Sequence, residues 1–286
     1  MPVEPPVVSP STLAEAYALA SDPAIRPLGG GTDLLVQIGA EIGEPPERVL
    51  DLWRLDELRG IEIRAGALEL GALTTYTEIR GSALCAEHAP ILVEAAATIG
   101  AAQIQNRGTV GGNVMNASPA GDTLPVLLAL DAELVVGRAT GERSIPASTF
   151  WPAYRRTAAR PGELLVRVRI PLVGGRQQRF RKVGTRRAQA ISKVVLALAW
   201  RTPGGGGGAW RDVRVALGSV AATPIRAAAT EAVLEGARPD AATADAAVAA
   251  LMAELQPIDD VRSTAAYRRE VAGRILHRLL RDAGGW

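Results

Sequence analysis

Two glycine loops are the parts of this chain best suited to chemistry. In Gly29-Gly30-Gly31-Thr32-Asp33 the three glycines lack the Cβ atoms that would keep backbone N–H groups away from a phosphate. Leu34, Leu35 and Ile38 then recover helical spacing, so the loop opens a helix whose dipole favours an anion. Alone, such a loop serves equally as an ordinary turn. It is not the dinucleotide fingerprint, since Leu34 stands three after Gly31, and no Gly-Lys-Ser/Thr exists to form a P-loop. Much later, Thr109-Val110-Gly111-Gly112-Asn113 repeats the hydroxyl, the paired glycines and the short polar side chain. A pyrophosphate suits two backbone cradles gripping it from two sides, with Asn113, Asn116 and Ser118 reaching ribityl or ribose hydroxyls. Asp122 is placed to accept hydrogen bonds from a sugar or polyol; its alternative is a helix N-cap ahead of Thr123 and Leu124.

Of the 32 Lys and Arg residues only Lys182 and Lys193 are lysines. In that background a lysine points to its compact charge, beside a flavin ring or a phosphate, with chance survival as the alternative. Lys182, in a strand between Phe180 and Val183, is the stronger candidate. Cys85 and His88 stand three apart before Pro90 and read as an apolar filler and a surface imidazole, not a nucleophilic dyad. With no hydrolytic constellation, the chemistry must be lent by a bound cofactor.

The elements that must position these residues follow from periodicity. Thr12 and Glu15 have capping-box spacing before a short helix, and Ile25 to Leu28 is a strand entering the first loop. Ile61 to Leu73 alternates as a hairpin, and Ile91 to Ile99 is helical. Ala101 to Asn113 follows neither period and reads as a long polar loop. Leu124 to Leu130 is a short buried helix; Leu134 to Val136 and Leu164 to Ile170 are strands. From about Phe180 the pattern becomes an antiparallel meander of Phe180 to Val183, Val194 to Trp200 and Val213 to Leu217, with Gly204 to Gly208 as a hairpin tip. The tail is helical near Ile225 to Leu234, Ala241 to Leu255 and beyond Tyr267, with Arg268, Arg269, Arg274, Arg278 and His277 on a solvated face.

The 286 residues suffice for one large or two modest domains, and a 48% hydrophobic content with 4% aromatics demands cores of small aliphatic residues. A net charge of +2 gives no nucleic-acid footprint. One cysteine and two histidines are too few for structural zinc or an iron–sulfur cluster and exclude an intrachain disulfide. Glu4-Pro5-Pro6 interrupts any signal peptide, and the apolar runs fall short of the roughly 18 residues of a membrane span. These features predict a cytoplasmic protein without a transmembrane segment.

The loops resemble those of the FAD-binding medium subunit of the molybdenum hydroxylases, the xanthine dehydrogenase and carbon monoxide dehydrogenase family. Asn106-Arg107-Gly108, Ala117-Ser118-Pro119, Asp122 and Leu130-Asp131-Ala132 carry the likeness in the first half. Lys182-Val183-Gly184-Thr185-Arg186, Ile191-Ser192, Ala216-Leu217-Gly218, Thr223-Pro224 and Tyr267-Arg268-Arg269 extend it over nearly the whole chain. The resemblance implies an α+β fold: a PCMH-type FAD-binding domain of two α/β subdomains over 1–175, then a C-terminal flavoprotein domain over 176–286 with a three-stranded antiparallel sheet and helices. FAD is expected in the cleft between them. Carried over by position, Leu28, Gly29, Gly30, Gly31, Thr32 and Asp33 with Thr109, Val110, Gly111, Gly112 and Asn113 hold the pyrophosphate. Asp122 bonds the ribityl or ribose part, Ile99 and Leu165 pack near the flavin or adenine, and Lys182 lies by the isoalloxazine.

Members of the family pair with a small subunit holding two [2Fe-2S] clusters and a large molybdopterin-binding subunit, commonly as a dimer of heterotrimers. The implied role is to collect electrons from the clusters and pass them to NAD+, oxygen or a quinone. A chain with Cys85 alone lacks the cysteine-rich insert of the benzoyl-CoA reductase branch. The competing readings are a stand-alone FAD-dependent oxidase or reductase of the same broad fold and a non-catalytic nucleotide-binding module.

Overall fold

The computed structural model describes residues 4–40, 42–186, 188–203 and 208–286. Of the glycine run, 204–207 lie outside the described residues. Three sheets organise the described residues. The first is parallel, in the order β1-β3-β2, from β1 (Val7–Val8), β2 (Ile25–Leu28) and β3 (Arg48–Asp51), with α1 (Leu13–Ala20) and α2 (Leu34–Gly39) as its helices. Thr12 caps α1 by accepting from Glu15 N at 3.2 Å, but the Glu15 carboxylate turns to Ser11, so the expected capping box is half formed. A reciprocal box occurs at Thr75 and Glu78 instead, at the start of α3 (Tyr76–Gly81).

The second sheet is antiparallel, in the order β4-β5-β8-β6-β7. Its strands are β4 (Ile61–Arg64), β5 (Ala67–Gly71), β6 (Glu133–Arg138), β7 (Gly141–Pro146) and β8 (Leu164–Pro171). Between β5 and β6 lie α3, α4 (Ala83–His88), α5 (Pro90–Thr98), α6 (Ala102–Arg107), α7 (Val110–Asn116) and α8 (Thr123–Ala129); α9 (Ala147–Phe150) follows β7. The stretch expected as a long loop over Ala101 to Asn113 is thus two short helices broken at Gly108. Each is too short for the 3.6-residue period to show, and Gly111 and Gly112 occupy the first turn of α7. Cys85 is buried, as its reading as an apolar filler requires.

The third sheet has four strands rather than three, in the order β12-β11-β10-β9. They are β9 (Arg176–Val183), β10 (Val194–Arg201), β11 (Arg211–Gly218) and β12 (Ile225–Arg226). The added strand has two residues, below what alternation can reveal, and it takes the start of the segment expected to be helical. The helix α10 (Ala228–Leu234) begins after it, followed by α11 (Ala241–Glu254) and α12 (Ala265–Gly284). β10 is buried on both faces, and its alternate residues serve two cores. Val195, Ala197 and Ala199 face α8 and the first half of the chain, whereas Val194, Leu196, Leu198 and Trp200 join the core under α10 to α12. Small residues on the first face let α8 approach closely; the large ones build the core of the second half, where Trp200 stacks on Trp210 at 4.2 Å.

Arg268 departs from the solvated face expected for the last helix. It is buried, donating to the carbonyls of Lys193 and Ser219 at 3.0 Å and to Asp260 at 2.7 Å. A guanidinium carries five donors and can tie three segments at once, which a charge pattern on a helical wheel does not disclose.

Candidate functional site

β2 runs into Gly29–Asp33, α6 runs into Gly108 and Thr109, and the two segments touch. A Cβ on Gly30 would fall inside the Arg107 carbonyl, one on Gly29 would lie 3.1 Å from Thr109 Oγ1, and one on Gly108 would lie 3.3 Å from Thr32 Oγ1. The glycines therefore let the loops meet before they serve any ligand. Gly31, at φ +81, holds a left-handed turn open to glycine and strained for other residues. Around this junction lies a cleft of about 1910 Å³. Its walls include the Tyr154–Leu165 segment and, from the second half of the chain, Lys182, Ser192 and part of the α11–α12 connection. Of the residues singled out in the sequence, Leu28 to Asp33, Ile99, Thr109, Gly111, Gly112, Asn113, Asn116, Ser118, Asp122, Leu165 and Lys182 all line it. Val110 does not: it is fully buried on the inner face of α7 with Val114.

The loops differ in what they offer. None of the N–H groups of Gly29 to Asp33 makes a hydrogen bond among the described residues. In the second loop Val110 N donates to Thr74 O at 2.9 Å, Gly111 N to Ala72 O at 2.9 Å, Gly112 N to Thr109 Oγ1 at 3.0 Å and Asn113 N to Thr109 O at 3.1 Å. The expectation of two matching N–H cradles is corrected accordingly: the second loop spends its donors on its own fold. It presents side chains instead. Asn113 Oδ1 accepts from Thr123 Oγ1 at 2.6 Å and Asn116 Oδ1 from Arg155 Nη1 at 3.0 Å, while no bond among the described residues uses either amide NH2.

The floor of the cleft joins the two halves. Asp122, at the head of α8, accepts from Lys182 Nζ at 2.6 Å through one oxygen and from Ser192 through the other; Lys182 also reaches Thr98 O at 3.0 Å. Asp122 does hold the N-cap position of α8, as the alternative reading has it, but its side chain makes no capping bond and turns to Lys182 and Ser192 instead. Burial pushes the Asp122 carboxyl up, opposed by Lys182 and Ser192. Asp33, partly open to solvent, is also pushed up by the loss of water on its cleft side, with the Arg155 charge opposing it. The Tyr76 hydroxyl is buried without a hydrogen-bond partner among the described residues, and its pKa is raised chiefly by burial and further by the charges of Asp33 and Asp122. Lys193, by contrast, sits 5.0 Å over the Tyr267 ring. Tyr76 and Arg155 escaped the sequence reading because neither stands in a glycine loop; Ser192 appeared only within the Ile191-Ser192 likeness.

Such a site is chemically suited to a long, polyhydroxylated, anionic cofactor. It has unpartnered N–H donors beside glycine, free amide donors, an orphaned buried hydroxyl and apolar walls at Ile99 and Leu165. The family model for the FAD binding domain in molybdopterin dehydrogenase matches residues 2–173, and that for the CO dehydrogenase flavoprotein C-terminal domain matches residues 179–283. The chain belongs to the FAD-binding medium subunits of the molybdenum hydroxylases. This medium subunit is 31% identical to the glyceraldehyde dehydrogenase medium chain of Sulfolobus acidocaldarius over 94% of its own length and 95% of that chain. It is 32% identical to the carbon monoxide dehydrogenase medium chain of Afipia carboxidovorans over 96% and 94%. The solved carbon monoxide dehydrogenase of Hydrogenophaga pseudoflava matches with a TM-score of 0.93 at 30% identity, over 99% of this chain and 98% of that one. Among the described residues of the medium subunit, no helix is long and apolar enough to cross a membrane. Nor does any group of three or more His, Cys, Asp or Glu side chains there have a metal-binding arrangement.

Proposed function

We propose that this chain is the FAD-carrying electron-transfer subunit of a multi-subunit molybdenum hydroxylase. It takes electrons from the [2Fe-2S] clusters of a small partner subunit, which are fed by a molybdopterin-bearing large subunit, and delivers them to a soluble acceptor such as NAD+, oxygen or a quinone. The assembly is a dimer of such heterotrimers in the cytoplasm, a compartment that suits the unpaired Cys85. The observation that carries this reading is the single cleft lined by both glycine loops and by Lys182 and Ser192 of the second half, in a chain whose two halves each match a flavoprotein family model.

Within that cleft the N–H groups of Gly29 to Asp33 bind the diphosphate, and the amides of Asn113 and Asn116, with Ser118, take hydroxyl and phosphate oxygens. Thr109, Gly111 and Gly112 shape the opposite wall, and Val110 anchors it in the core. Asp122, held by Lys182 and Ser192, orients the polyol, while Lys182 brings a positive charge to the ring end. Ile99 and Leu165 exclude water from the ring. Bound FAD supplies a carrier that accepts electrons singly and gives up a pair.

Purification of the native complex through a tag on this chain tests the reading. FAD, iron and molybdenum co-purifying in fixed ratio, with the flavin absorption bleached by a substrate of the large subunit, is the expected result. FAD without iron or molybdenum would replace it by a stand-alone oxidase or reductase. FMN in place of FAD would remove the diphosphate argument.

A further inference from the structure

The segment between α9 and β8 carries three arginines that line the cleft, Arg155, Arg156 and Arg160. It is firmly pinned. Arg143 on β7 grips Glu163 through two bonds of 2.8 and 2.7 Å and reaches Ala158 O at 2.9 Å, while Arg160 N donates to Glu163 Oε2 at 2.7 Å. Arg155 stands at the turn of this segment with φ +51, a left-handed backbone that a non-glycine residue seldom holds.

Of the three, Arg155 alone makes side-chain hydrogen bonds among the described residues. Its Nη1 donates to Asn116 Oδ1 at the end of α7, and its charge opposes the upward push on the Asp33 carboxyl at the end of the first loop. The charge balance of the junction calls for such a group. A diphosphate brings two negative charges, the second loop has no N–H left to offer between Val110 and Asn113, and Asp33 adds a carboxylate beside the one loop that has. The free N–H groups carry only partial charges. Resting on the FAD reading above, we propose that the Arg155 guanidinium is the cation that neutralises the cofactor diphosphate, using its planar pair of donors on the phosphate oxygens.

The test follows FAD release from the purified complex containing the full chain, by the rise in free flavin fluorescence, at about 0.05 M and about 0.5 M KCl, where screening differs strongly. Wild type is expected to release FAD faster at high salt. Arg155→Gln should release it about 10-fold faster at low salt, as loss of one charge-assisted bond implies, and show little further response to salt. Arg155→Lys should fall between them at low salt and keep the salt response. Release from Arg155→Gln at the wild-type rate overturns the proposal. So does faster release with the wild-type salt response intact, which would mean that the substitution merely loosens the segment. A wild-type complex holding no FAD would instead overturn the underlying reading, and the proposal with it.

Discussion

The two glycine loops look alike as sequence and differ as structure. Both place a hydroxyl and a short polar residue around adjacent glycines. In Gly29–Asp33 the chain turns through a left-handed glycine and leaves its N–H groups without partners among the described residues. In Thr109–Asn113 the same residue types start a helix, Thr109 caps it, and the N–H groups of Val110 and Gly111 close against the turn after β5. The difference teaches that glycine has two uses here. Gly30 and Gly111 permit backbone to approach backbone, since a Cβ on Gly111 would stand 2.5 Å from Ala72 O, whereas Gly112 has only its own cap hydroxyl within reach. A composition rule counts these positions as equal.

The largest effect that could break this comparison is at Gly30. Even Gly30→Ala drives a methyl into the Arg107 carbonyl, so it should abolish FAD retention and lower stability by about 3 kcal/mol or more. Gly112→Ala, which meets only the Thr109 hydroxyl at 3.0 Å, should cost less than about 1 kcal/mol and keep FAD. Flavin content per chain together with thermal melting separates the two; equal effects would mean that the loops are interchangeable after all.

Next in size is the floor that both loops overlook. Lys182→Met leaves the buried Asp122 carboxylate with Ser192 alone, and unpairing a buried charge typically costs about 3–5 kcal/mol. Denaturant unfolding of this variant should show that loss; an unchanged midpoint would place the pair in water rather than in the seam between the halves. Smallest is an acid effect on the wall opposite. Hydrogen bonding to Arg143 holds the Glu163 carboxyl below its usual range. A folded-state value below the unfolded one of about 4.3 contributes stability above that pH and loses it as pH falls through the folded value. Hydrogen exchange in residues 151–162 should therefore accelerate below about pH 4 while α8 stays protected. Uniform acceleration would assign the effect to global unfolding.

Helix α8 links the cleft to the remainder of the second half. Its head carries Asp122, and just past its end Asp131, at φ +52, accepts from Arg176 at 3.3 Å, Arg214 at 3.0 Å and Arg226 at 3.1 Å, on three different strands. The small face of β10 lies against the helix between these clasps. Leu130-Asp131-Ala132 was visible as a family likeness, yet its partners are 45 to 95 residues away and no local pattern could name them.

Much of the fold was legible because period and capping are local. The strand before Gly29, the hairpin at Ile61–Leu73, the buried helix after Asp122 and the long last helix all appear where the periodicity puts them. The two-residue β12 and the short helices α6 and α7 were not legible, since their residues carry no apolar period. Of the site, the residues were named but their relations were not. Lys182 stood out by its rarity, whereas its bond to Asp122 spans 60 residues.

The sequence alone determined which residue types were present to meet an anion, and that Val194 to Trp200 would be an apolar strand. Only the tertiary structure decided which glycine loop keeps free donors, which carboxylate meets the lysine, and that Arg155 and Tyr76 join the cleft. A hydrogen-bond donor is free or used according to what the rest of the chain brings within about 3 Å of it, and that is a property of three-dimensional proximity, which residue spacing does not encode.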